Sequence, residues 1–81
     1  MRSNRLTHHR YLKLRGQVLA TLRAEKDFST SADHLFDVVK NDLRIYSVIE
    51  AMCMNQELVY LGKQFGGQGA AMYRLGVQFR P

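Results

Sequence analysis

Apolar residues recur along the chain with two different periods, and the change between them divides the sequence into helices followed by strands. Tyr11, Leu14, Val18, Leu19 and Leu22 form one stripe at helical spacing, which predicts a first helix over about 8–24 with Gly16 as a weak point inside it. Asp27, Phe28 and Ser29 read as a short extended link. Thr30 followed three residues later by Asp33 fits a capping box, in which hydroxyl and carboxylate satisfy amides at a helix start. Ala32, Leu35, Phe36 and Val39 then fall at i, i+3, i+4 and i+7, predicting a second helix that runs to about Lys40. Asn41-Asp42 supplies a break, since asparagine tolerates the left-handed conformation. Ile45, Val48, Ile49, Met52 and Cys53 make the stripe of a third helix. Its cap is either Ser47, boxed with Glu50, or the earlier Asp42, and its end is expected near Asn55-Gln56.

After Gln56 the period shortens. Leu58 to Leu61 is a short apolar run rich in strand formers. Ala71 to Phe79 alternates, with Tyr73, Leu75, Val77 and Phe79 on one face. Gly66-Gly67-Gln68-Gly69 lies between them and reads as a hairpin tip. It is not a nucleotide-binding loop, because it lacks the Lys-Ser/Thr pair and no helix follows it. The predicted class is α+β, with three helices followed by a C-terminal β-hairpin. The organisation is a basic N-terminal arm over 1–9 and a single domain over 10–81.

Length limits what this pattern can build. Eighty-one residues, 46% hydrophobic, have room for one core that buries roughly 60–65% of the unfolded surface. That excludes barrels and doubly wound sheets, and it makes a dimer or a bound partner useful. The single cysteine, Cys53, rules out an internal disulfide, and on the inner stripe of the third helix it reads as a small core hydrophobe. One cysteine and three histidines give poor support for a zinc site. His8, His9 and His34 read as surface or structural residues. No metal or cofactor is expected. No spacing assembles a nucleophile, a base and oxyanion donors, so no catalytic residues are named, and neither enzyme activity nor a small-molecule substrate is expected. No apolar run reaches the ~18 residues of a membrane span and no signal peptide is present, so the expected location is the cytoplasm.

Charge changes the picture more than length does. The net charge is +5, and it is unevenly spread. Residues 1–24 carry six basic side chains and no acid, a net +6. Residues 25–57 hold all seven acids against Lys26, Lys40 and Arg44, a net −4. Residues 58–81 add Lys63, Arg74 and Arg80, a net +3. A basic balance at both ends points to a polyanionic partner.

The second helix (Ala32, Leu35, Phe36, Val39), the break at Asn41-Asp42, the third helix (Ile45, Val48, Ile49, Met52) and the strand, glycine tip and strand from Leu58 through Tyr73-Arg74-Leu75 together resemble a winged helix-turn-helix domain. The resemblance covers about residues 10–79, with Asn41 standing where the family's turn usually has glycine. It implies a third helix laid in the DNA major groove, and a wing and helix termini on phosphates. The outward face of that helix carries Ser47, Glu50, Ala51 and Met54, with Arg44 at its flank. Arg2, Arg5, Arg10 and Lys13 of the arm and first helix, and Lys63, Gln64 and Arg74 of the wing, are the expected phosphate contacts. The function expected is double-stranded DNA binding by a small transcriptional regulator or accessory factor, located at the nucleoid.

The acidic middle segment and the uncharged Ala51/Met54 face support an alternative. In it the domain is a protein-interaction or homodimerisation module, with Ala51, Met54 and Phe65 as contacts. A third reading is RNA binding, with Tyr60 or Tyr73 stacked on unpaired bases.

Overall fold

In the computed structural model, which describes residues 5–63 and 71–81, α1 occupies His8–Ala24. Thr7 caps it, its hydroxyl accepting from the Arg10 amide at 3.1 Å. The expected stripe turns inward, with Leu14, Val18, Leu19 and Leu22 buried. Gly16 is exposed, and a Cβ there would meet nothing within 4 Å. Gly16→Ala is therefore expected to raise stability by about 1 kcal/mol through helix propensity alone, read as an increase in the urea midpoint at constant slope.

The link at 27–29 differs from expectation. Ser29–Ser31 form a short strand, β1, because β3 (Ala71–Leu75) lies alongside to pair with it: Ser29 opposite Arg74, Thr30 opposite Tyr73, Ser31 opposite Met72. Pairing turns Thr30 into the core, where it is buried, so it cannot cap the next helix. The cap moves one residue on. Ser31 accepts from the His34 amide at 3.0 Å and starts α2 (Ala32–Val38).

Two residues in the left-handed region, Lys40 (φ 58) and Asn41 (φ 63), end α2. The Asn41 amide donates to Phe36 O at 2.9 Å and the Lys40 amide to Asp37 O at 3.0 Å, the paired bonds of a Schellman ending. After that reversal α3 runs over Ile45–Met54. Ser47 lies inside its first turn and does not cap it. Asp42 sets the approach instead, its carboxylate accepting from the Arg44 amide at 3.0 Å. The same kind of ending closes α3: Gln56 has φ 64, and the Glu57 amide donates to Met52 O at 2.8 Å.

The chain then enters β2 (Leu58–Lys63), which pairs antiparallel with β3 and carries a bulge between Tyr60 and Gly62. The sheet is antiparallel with order β1-β3-β2, so the strand latest in the chain lies in the middle. Leu75 ends β3. The alternation read through Val77 and Phe79 does not continue as strand, since Val77–Phe79 form a 3-10 turn with Val77 73% exposed. Gly76 causes the break: its amide donates to Glu57 O at 2.8 Å as two backbone segments come into contact.

The three helices pack on one face of the sheet, around Leu14, Val18, Leu22, Leu35, Ile45, Val48, Met52 and Leu75, all essentially free of solvent. Cys53 is half-buried against this core, and burial, followed by the Glu50 charge, pushes its thiol pKa up. A thiol held protonated in this way is a packing group.

Candidate nucleic-acid interface

Local structure brings cations from three elements to one place. Arg10 projects from the first turns of α1. The left-handed pair at the end of α2 places Lys40 and Asn41 at the turn, and Arg44 and Ser47 belong to the start of α3. With Val39, Asp42 and Leu43 these residues line an open cleft of about 640 Å3. Arg10, Arg44 and Ser47, three of the residues expected from the sequence, meet here. Lys40 joins them. In the sequence it stands at the end of a helical stripe and among the three cations of the acidic segment, and the adjacent Asn41, a residue suited to a reversal, is the signal for its placement.

Arg44 is not free within the cleft. Its Nε donates to Asp42 Oδ1 at 2.9 Å and its Nη2 to Asp42 Oδ2 at 3.0 Å, a bidentate pair that orients the guanidinium and neutralises it. Three cations facing one carboxylate leave the cleft net positive. The Arg44 hydrogen bond is the main cause that lowers the Asp42 pKa below its ordinary 3.8, with burial opposing it. A carboxylate whose pKa is depressed by folding stabilises the fold fully above the unfolded value, and loses that contribution as pH falls through the folded one. Stability is accordingly expected to decline below about pH 3.8, and Asp42→Asn to flatten this part of the profile in thermal melts.

The remaining expected contacts are dispersed. Lys13 is exposed on α1 and Lys63 at the end of β2, neither lining the cleft. Arg5 is exposed ahead of α1. Two of the α1 arginines are engaged within the fold: Arg15 pairs with Glu57 at 2.6 Å, and Arg23 donates to Phe79 O at 3.2 Å. Arg74 alternates with the inward residues Tyr73 and Leu75 along β3, so it lies on the sheet face turned away from the helices. Its Nε is buried there without a hydrogen-bond partner among the described residues. Arg2, Gln64, Phe65 and the glycine tip at 66–69 lie outside the described residues.

Ala51 is half-buried, whereas Met54 is 79% exposed; Val59 of β2 and Val77, also exposed, line one shallow cleft together. His8, His9 and His34 are exposed. Among the described residues no three His, Cys, Asp or Glu side chains converge as metal ligands, and no helix is long and apolar enough to cross a membrane. The chain matches no family model, no curated protein and no solved structure.

Proposed function

We propose that this is a winged-helix domain that binds duplex DNA, with its main phosphate contacts from Arg10 and Lys40 in the cleft they share with Arg44. The observation carrying this reading is the convergence of cations from α1, the α2–α3 turn and α3 beside the outward face of α3. Supporting it, the elements follow the order α1, β1, α2, α3, β2, β3 in the chain, and the sheet has order β1-β3-β2. That arrangement presents α3 beside the β2–β3 pair, as major-groove reading with a wing requires. Phosphate contacts supply most of the affinity, with added charge from Arg2, Arg5, Lys13 and Lys63. Base readout from α3 is limited to Ser47 and its neighbours, because Arg44 is held by Asp42. The role is that of a binding protein acting at the nucleoid, not an enzyme.

The test is fluorescence anisotropy with random-sequence duplex DNA at about 50 mM and about 200 mM salt. Affinity is expected to fall steeply with salt, and the Arg10→Ala/Lys40→Ala double variant to reduce the log–log slope by about 1.8, two released counterions. Absence of binding at both salts overturns the reading.

The exposed Met54, Val59 and Val77 favour a second reading, in which these apolar side chains dock a protein partner. Under it, Met54→Asp changes the assembly state measured by sedimentation, while the Arg10→Ala/Lys40→Ala variant has no effect.

A further inference from the structure

A second cleft opens one turn farther along α3, between that helix and the sheet. It has a volume of about 440 Å3, and its walls include Tyr46, Ile49, Glu50, Cys53, Tyr60 and Tyr73. The Tyr60 and Tyr73 rings are tilted against each other with centroids 5.4 Å apart. On the helix side Tyr46 is backed by Phe36, stacked at 5.6 Å and 24°. Tyr46 and Tyr60 are each about half exposed, so neither ring is consumed by the core. Glu50 is the one charged wall residue, exposed and without a hydrogen-bond or ion-pair partner among the described residues.

We infer that this cleft takes an unpaired guanine base. The inference rests on the nucleic-acid reading above and specifies what lies beside the phosphate cleft. Aromatic side chains favour a planar π ligand. A carboxylate has acceptors only, so the ligand edge must present N–H donors, and a second negative charge there would be repelled. Guanine carries two adjacent donors, N1–H and the N2 amine, matching the two carboxylate oxygens of Glu50. Thymine offers one N–H flanked by two carbonyl acceptors that the carboxylate repels. The cleft floor is neutral, since the Cys53 thiol is kept protonated by burial and by Glu50. Ser47 and Glu50 are three residues apart on α3, about 5 Å along the axis. The two clefts adjoin where Tyr46 and Ser47 follow each other on α3, so a backbone phosphate held by Arg10 and Lys40 has the tyrosine cleft beside it. This arrangement gives the lone acid on the outward face of α3 a role that reading a paired duplex does not.

The experiment uses the full chain and three labelled duplexes of one sequence: fully paired, carrying one extra unpaired guanine, and carrying one extra unpaired thymine. The guanine bulge is expected to bind about tenfold more tightly than the paired duplex, and the thymine bulge about threefold. Glu50→Gln should bring the guanine-to-thymine ratio close to one, because an amide both donates and accepts. Tyr60→Ala should bring both bulges to the affinity of the paired duplex. Both side chains are exposed, and circular dichroism confirms folding. If the paired duplex binds but the guanine bulge gains nothing, or if Glu50→Gln keeps the guanine preference, the base pocket is overturned while the proposed function stands. If no duplex binds, both are overturned.

Discussion

Gly76→Ala is expected to lower stability by about 3 kcal/mol, among the larger effects available to a single methyl group. Backbone conformation is not the cause. Gly76 has φ −59 and ψ 147, a region open to any residue. The obstacle is contact: an added Cβ would lie 2.7 Å from Gln56 O and 3.3 Å from Glu57 O. Both are backbone atoms at the tight reversal after α3, so neither can rotate away. Relief requires separating the segments, which stretches the Gly76 to Glu57 hydrogen bond and disturbs the adjoining Leu58–Leu75 pair at the core. For a domain of this size the loss corresponds to roughly 15 °C in the melting temperature. A melt within about 3 °C of the parent would show that the contact relaxes at little cost.

Arg15→Ala should cost about 2 kcal/mol, and it acts on the same reversal from the other side. Glu57 is buried, its side chain 8% exposed, and its carboxylate is met by Arg15 Nε at 2.6 Å. The pair ties α1 to the start of β2 across 42 residues of sequence. Because Arg15 is itself 31% exposed, solvent screens part of the attraction. The cost arises mainly from leaving a buried carboxylate without its donor. Glu57→Gln, which removes the charge but keeps the shape, should cost less, about 1 kcal/mol. The Arg15→Ala/Glu57→Gln double variant should fall short of the sum of the two singles. Urea midpoints of the four proteins decide the matter. Additive singles would mean that the pair contributes no coupling.

The helices were legible because their signal is local. The stripe of α1 and that of α3 each repeat over several turns, and the left-handed Asn41 and the reversal at Gln56 fall where residue chemistry placed the breaks. β1 was not legible. Three residues, Ser-Thr-Ser, are too few and too polar to show a period, and their conformation is decided by β3 more than forty positions later. The cap of α2 shows the same limit. Thr30 and Ser31 are both capping residues, and only the burial of Thr30 against the sheet decides between them. Beyond Leu75 the apolar alternation persists in the sequence through Val77 and Phe79, but the close approach at Gly76 turns the backbone out of the sheet. A glycine inside a strand pattern was the available warning.

The candidate site divides in the same way. Its residue types could be named from charge and position, whereas the meeting of Arg10 with the α2–α3 turn depends on how α1 packs. The sequence spacing of Asp42 and Arg44 was visible, but not the bidentate pairing that removes one cation from base reading. Lys40 is not legible as a site residue, because a lysine at the end of a stripe resembles any solvated residue until the reversal sets it at the cleft.

The position of β3 also has a consequence for synthesis. During translation α1, α2, α3 and β2 are all synthesised before the strand that joins β1 to β2, and the core lacks Leu75 until then. The nascent chain therefore emerges with both edge strands unmatched and its apolar stripes uncovered. Pairing of β1 and β2 into the sheet awaits β3, and the β1–β3 contact has the high sequence separation that slows folding. A chain truncated ahead of Ala71 should accordingly be a substrate for chaperones and proteases, not a smaller stable domain.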